Sequence, residues 1–200
     1  MAMKNPPHDT LLLIALLPEA PLRERIRALK EEMRLRFGAA HALKAPAHLT
    51  LQMPFRAGSS ERDDLVRRLE AFACREPGFE IQLSGFDAFP PRVIFIRVVD
   101  HAPILGLNER LRAMLLEKVG LGEKAVTPEI HPHLTIATRD LSETAFLRAW
   151  PEFQAREFEA SFQVRSLFLL QHNGKAWEPL REFPFCVAKT PGNGTDSPIP

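Results

Sequence analysis

The chain has 200 residues, a formal net charge of +1 and 45% hydrophobic residues. That suits one domain, or two small lobes on one core, and it excludes a strongly electrostatic nucleic-acid binder while leaving room for a local basic patch. Two cysteines, Cys74 and Cys186, with no CxxC pair or close cluster, support neither a disulfide framework nor a cysteine-based zinc site, so a reducing, cytoplasmic setting is expected.

Residues 1–9 read as a flexible lead-in. The apolar run from Leu11 to Leu17 falls short of the roughly 20 residues that a membrane span needs. Glu19, Arg23, Glu24 and Arg25 follow it, without the small-residue site of a cleaved signal peptide. It reads as a buried central strand over 10–17, and no membrane partner is expected. Pro21 opens a helix with Leu22, Ile26, Leu29 and Met33 on one face, and Gly38 ends it. A loop carrying Lys44 leads to a strand from Ala47 to Met53, which Pro54 should stop. Gly58, Ser59 and Ser60 form a turn and cap for a helix over 61–74 with Leu65, Leu69 and Phe72 inward, and Cys74 is expected in the core.

Residues 79–86 and 92–99 alternate as an antiparallel pair around the Phe89-Pro90-Pro91 turn. Residues 101–119 form a helix that Gly120 and Gly122 end. A loop leads to a strand over 132–138. Ser142 caps a short helix reaching Trp150, ahead of Pro151. One or two strands follow over 158–171, then an Asn173-Gly174 hairpin and a return strand over 177–187. Residues 189–200, rich in Gly, Pro, Ser and Thr, are expected to be a disordered tail. Residues 10–188 are then one domain.

One pattern occurs twice. His48-Leu49-Thr50-Leu51 returns as His133-Leu134-Thr135-Ile136, each on a predicted strand with a proline just ahead, Pro46 or Pro132. The two-residue period of a strand turns His48 and Thr50 to one face and Leu49 and Leu51 to the other. His133 and Thr135 do the same. Each half of the chain carries one such strand and a pair of later strands, which reads as a duplicated unit whose halves face each other across a cleft.

Two imidazoles across a cleft suit acid–base chemistry near neutral pH. With an ordinary pKa of about 6.5, one ring serves as base while the other, protonated, serves as acid. A threonine beside each offers a hydroxyl to non-bridging phosphate oxygens. The layout fits in-line displacement at phosphorus, with no metal and no cofactor needed. A lone strand histidine is usually structural, and Thr is a good strand former; the repetition turns the reading toward function. A metal held by His131, His133 and Glu129 is the competing reading, but no compact third and fourth ligands accompany them. Arg139, Arg56, Phe55 and Lys44 are candidate cleft-lining residues. Phe55, Phe89 and Trp177 are candidates for stacking on a base, or core and rim packing. His8, His41, His101 and His172 read as surface or loop residues.

The two motifs resemble the signatures of the 2H phosphoesterase superfamily, and the chain is similar to its 2′-5′ RNA ligase and RNA 2′,3′-cyclic phosphodiesterase branch. The resemblance follows the element order from about Thr10 to Val187. Around the first motif, Pro46 to Phe55 resembles a divergent bacterial branch; Pro132 to Arg139 is close to the usual form. The resemblance implies an α+β bilobal fold, two antiparallel sheets facing a central cleft with helices outside. It also implies His48 and His133 as catalytic residues and Thr50 and Thr135 as phosphate-binding ones. The implied substrate is an RNA terminus or small nucleotide with a 2′,3′-cyclic or 2′-5′ phosphodiester. Cleavage would leave a 2′-phosphate, with ATP-independent joining as the reverse activity. A monomer is expected. The sequence assigns neither histidine as acid or base, and a non-catalytic nucleotide-binding module of the same fold is the alternative.

Overall fold

The structure, a computed structural model, describes residues 9–119, 121–122, 126–127 and 129–185. The expectations for 1–8, Gly120, Cys186 and the tail at 189–200 lie outside the described residues. Among the described residues eight strands and four α-helices follow one another as β1 (Thr10–Leu16), α1 (Ala20–Phe37), β2 (Leu49–Ala57), α2 (Ser59–Ala73), β3 (Phe79–Phe89), β4 (Val93–Val98), α3 (Ala102–Met114), β5 (His133–Ala137), α4 (Glu143–Gln154), β6 (Glu159–Val164), β7 (Ser166–His172) and β8 (Trp177–Pro184). A 3₁₀ turn spans His41–Lys44, and a π turn over Leu115–Val119 extends α3. Among the described residues no helix is long and apolar enough to cross a membrane.

The strands form two antiparallel four-stranded sheets, in the orders β2-β1-β7-β8 and β5-β4-β3-β6. Both motif strands, β2 and β5, are edge strands, each beside the strand that precedes it across a helix. The lobes are not the sequence halves, which corrects the simpler expectation. The first sheet takes β1 and β2 from one end of the chain and β7 and β8 from the other, while the second takes the middle. The chain changes sheet after α2 and again at Arg165, the one residue between β6 and β7.

Helices tie the lobes together. α1 leaves the first sheet and packs against β5 of the second; α3 leaves the second and packs against β2 of the first. One continuous core results, with Leu49 and Leu51 of β2 and Leu134 and Ile136 of β5 fully buried in it. Burying each such side chain is worth about 1.5–3 kcal/mol. A smaller cluster of Leu13, Ala15, Leu17 and Leu170 covers the other face of the first sheet.

Two element ends and the placement of one side chain depart from expectation for reasons the packing makes plain. β2 runs through Pro54 to Ala57, because an edge strand tolerates a missing N–H and because Met53 and Pro54 bulge opposite Leu13, between the pairs Leu12–Phe55 and Ile14–Gln52. α4 continues past Pro151 to Gln154 because Phe153, 1% exposed, holds its last turn against Phe37 and Phe86, with ring centroids 6.4 and 5.2 Å away. Cys74 is exposed at the end of α2, one position round from the inward stripe of Leu65, Leu69 and Ala73. Pro21 opens α1 and Ser142 caps α4 as read. Gly38 adopts φ 74°, and the N–H groups of Gly38 and Ala39 close α1 on the carbonyls of Arg34 and Met33.

Candidate active site

The duplicated motif folds the same way twice. Thr50 pairs with Ala15 and Gln52 with Ile14, so Leu51 is an extra residue; Thr135 pairs with Phe95 and Ala137 with Ile94, so Ile136 is an extra residue. Each motif strand therefore bulges directly after its threonine. A bulge sharpens the local twist and re-aims nearby side chains.

The histidines are tethered alike. His48 Nδ1 lies 2.8 Å from the carbonyl oxygen of Pro46, and His133 Nδ1 lies 2.6 Å from that of His131. A carbonyl only accepts, so Nδ1 carries the proton in both rings and the neutral form leaves Nε2 with its lone pair. The prolines differ in place but the two-residue reach does not.

His48, Thr50, His133 and Thr135 line one cavity of about 330 Å³. This is at the small end of ligand sites, enough for one modest molecule. Its wall is mixed. Leu13, Met53, Pro54, Ile130 and Trp177 make an apolar side; Lys30, Lys44, Arg139 and His41 bring positive or titratable groups, against one carboxylate among the described residues, that of Glu129. The bulge in β2 is what turns Met53 and Pro54 into this space.

Of the other sequence candidates, Arg139 and Lys44 line the cavity, as does Trp177. Arg139 has φ 58°, a left-handed conformation uncommon outside glycine and found disproportionately at functional sites. Phe55 and Arg56 do not line it: Phe55 is buried in the core, and Arg56 Nη1 reaches the Asp9 carbonyl at 3.3 Å. Phe89 packs its ring 5.4 Å from His133 and 5.2 Å from His131, beside Phe95 at 4.8 Å from His133. It buttresses the second histidine. Among the described residues no three His, Cys, Asp or Glu side chains are placed to hold a metal ion, His131, His133 and Glu129 included.

Several wall residues escaped the sequence reading. Lys30 is only 3% exposed and donates from Nζ to the Ala45 carbonyl at 3.0 Å. Its signal was there, four residues after Ile26 and three before Met33 on the buried stripe of α1. His41 enters through the 3₁₀ turn, which Asp140 holds by accepting from the N–H groups of Ala40 and His41 at 3.0 and 2.8 Å. Thr127 straps the loop before β5 to β2: its hydroxyl accepts from Met53 N–H at 2.8 Å, and its own N–H donates to Gln52 Oε1 at 3.0 Å. These contacts join segments far apart in the chain, and no local pattern announces them.

Burial sets the electrostatics. It pushes His48 down to about 4, against the pull of the Pro46 carbonyl, with the charges of Lys30 and His133 adding to the fall. His133 is also lowered, chiefly by burial and then by His131 and His101. Burial, with Arg27 nearby, brings Lys30 down to about 8. His41 is lowered by burial and by Arg139 and Lys44. The cavity thus holds several groups that an incoming anion would stabilise in their charged forms.

A family model described as the 2′-5′ RNA ligase superfamily matches residues 17–176, which include both motifs. The chain belongs to that superfamily. Similarity to individual members is distant. A Bacillus pumilus (strain SAFR-032) protein named "Putative phosphoesterase" is 31% identical over 118 residues, which cover 58% of this chain and 65% of that protein, a little under two thirds of its length. The fold is similar to that in the crystal structure of E. coli LigT complexed with 3′-AMP, with TM-score 0.66 and 20% identity over 89% of this chain and 99% of that one. A Thermus thermophilus protein has TM-score 0.61 and 21% identity over 89% and 99%. At these identities the likeness is one of fold.

Proposed function

We propose that the protein is a phosphoesterase that hydrolyses 2′,3′-cyclic phosphodiesters of nucleotides or RNA ends, with His48 and His133 as its catalytic residues. The observation that carries this reading is the doubled tether: two imidazoles, each with Nδ1 held by the carbonyl two residues upstream, line one cavity with a threonine two residues after each. Membership of the 2′-5′ RNA ligase superfamily supports it. So does the name of the Bacillus relative, and the 3′-AMP bound by the LigT crystal structure supports a nucleotide as ligand.

The roles follow from the different environments of the rings. His48, the more strongly depressed at about 4, is neutral over the working range and is the base. His133, lowered less, is the acid. Nε2 of His48 takes a proton from water as its oxygen attacks phosphorus. The bond from phosphorus to the ribose 3′ oxygen breaks, and Nε2 of protonated His133 gives its proton to that oxygen. The product is a 2′-phosphate with a free 3′ hydroxyl. Thr50 and Thr135 donate hydroxyl hydrogen bonds to the non-bridging oxygens, and Lys30 and Arg139 balance their charge. With a 5′ hydroxyl in place of water as the attacking group, the same displacement of the 3′ oxygen would join two RNA ends through a 2′-5′ bond.

The test is turnover of a 2′,3′-cyclic nucleotide in excess chelator by the purified protein and by His48→Asn and His133→Asn. Turnover lost in both variants is expected. Full activity in either would refute the assignment. Binding without turnover in the unaltered protein would favour a nucleotide-binding module, and turnover abolished by the chelator a metal enzyme.

A further inference from the structure

A second depression of about 280 Å³ adjoins the first and shares Lys30, Lys44, Ala45 and Trp177 with it. It is lined by Arg23 and Arg27 of α1, by Leu43 to Ala47 and by the start of β8. Arg23, Arg27 and Lys30 stand at i, i+4 and i+7, so they form one stripe along the helix leading into the first cavity. The steps along the axis, about 6 Å from Arg23 to Arg27 and about 4.5 Å from Arg27 to Lys30 at 1.5 Å per residue, are comparable with the separation of successive phosphates in a single strand.

The cations of this stripe differ from their neighbours. Arg34 pairs with Glu31, Arg36 with Glu32 and Glu152, and Arg25 bonds the Glu159 carbonyl and lies over Phe158. Among the described residues Arg23, Arg27, Lys30 and Lys44 form no ion pair. Among the described residues two carboxylates line the depression, Glu24 and Glu178, and Glu178 is engaged by Gln171 and Asn173 of its own hairpin at 3.0 and 3.1 Å. Four cations without an ion pair among the described residues line a groove that adjoins the candidate site, and Arg27 is near enough to Lys30 for the like charges to repel. A fold keeps like charges together where an anion is to separate them.

We propose that this depression seats the backbone of the nucleotide next to the reacting one, so that the substrate is the end of an RNA strand and not a mononucleotide. Arg23, Arg27 and Lys44 hold its phosphates, and Trp177, at the boundary of the two spaces, offers a ring face for a base. The inference rests on the reading of the first cavity as the phosphodiester site.

The experiment measures binding, so that it stands apart from catalysis. Fluorescence anisotropy compares a labelled tetranucleotide ending in a 2′-phosphate with a labelled mononucleotide 2′-phosphate, across a salt series. The unaltered protein should bind the tetranucleotide at least about tenfold more tightly, or 1.4 kcal/mol. Arg23→Gln/Arg27→Gln should remove most of that advantage while affecting the mononucleotide much less. Its salt slope for the tetranucleotide should fall by about 1.4, at roughly 0.7 per phosphate contact. Equal affinity for the two ligands, an unchanged slope in the double variant, or equally tight binding of an oligo-glutamate peptide of the same charge would each overturn the proposal. Stripe-dependent binding without turnover would uphold it and defeat only the catalytic reading.

Discussion

Leu51 and Ile136 occupy the same place in two different sheets: each is the residue added by a bulge directly after the motif threonine. Both are fully buried, one behind each His-x-Thr pair. What faces the threonines differs. Ala15 stands opposite Thr50, whereas Phe95 stands opposite Thr135 and packs on His133. A small residue on one side and a ring on the other break the symmetry of an otherwise repeated site.

Leu51 should therefore be costly to truncate. Leu51→Ala removes a side chain with no exposure and should destabilise by about 2–5 kcal/mol. Urea denaturation checks this. A loss below about 1 kcal/mol would mean that the bulge relaxes and closes the gap.

The histidine environments predict an acid-sensitive fold. His48 has its pKa lowered to about 4 in the folded state, against an ordinary value of 6.5. The unfolded chain therefore binds this proton first, and stability is full above pH 6.5 and falls as the pH drops to about 4. The window is worth up to about 3 kcal/mol for His48, and His133 adds in the same direction. Denaturation midpoints from about pH 7 to 4 test it: His48→Asn should flatten the curve, and an unaltered slope in that variant would remove His48 as its source.

Activity should favour mildly acid conditions. The acid must carry a proton and the base must not, so kcat/KM should peak above about 4 and fall as the pH rises through the lowered value of His133, below 6.5. The bound phosphate raises both values, so the kcat profile should lie to the alkaline side. A kcat/KM profile flat from about pH 5 to 8 would contradict the proton roles. His48→Asn and His133→Asn should each lower kcat by roughly 10²- to 10⁴-fold, with folding checked by circular dichroism.

Lys30 couples the helix to the site. Its folded pKa of about 8 lies below the ordinary 10.5, so the unfolded chain holds the proton longer and stability should rise from pH 8 to 10.5. Lys30→Met should abolish that rise. It should also move the NMR titration of His48 upward, since the ammonium is one of the charges that depress it. An unmoved His48 resonance would place Lys30 outside the electrostatics of the site.

Asp140 should act through the 3₁₀ turn. Asp140→Ala deletes two hydrogen bonds to the N–H groups of Ala40 and His41. The carboxylate is exposed, so the stability loss should be about 1 kcal/mol or less. Faster amide exchange at 40–44 and a higher KM with little change in kcat are expected. An unchanged exchange rate would show that the turn holds itself.

Much of this molecule is legible in its amino-acid order. Alternation in His48 to Leu51 and His133 to Ile136 dictates that each imidazole shares a face with a hydroxyl and that the leucines and isoleucine lie beneath, because the pleat of a strand has a period of two. Gly38 ends α1 at φ 74° and Gly174 turns β7 into β8 at φ 94°, because few other residues accept those backbone angles at so little cost, and the Asn173 side chain closes the turn by accepting from the N–H groups of Lys175 and Ala176. Partner choice is another matter. β6 and β7 look like one apolar stretch around Arg165, yet they join different sheets, and Pro54 reads as a stop until β2 is known to be an edge strand. Lys30, His41 and Thr127 reach the cavity only because α1 crosses to β5 and the loop before β5 is strapped to β2. Local periods are set by backbone geometry within a few residues. Which buried faces meet is decided by the packing of the whole chain, and the cavity exists only after that choice is made.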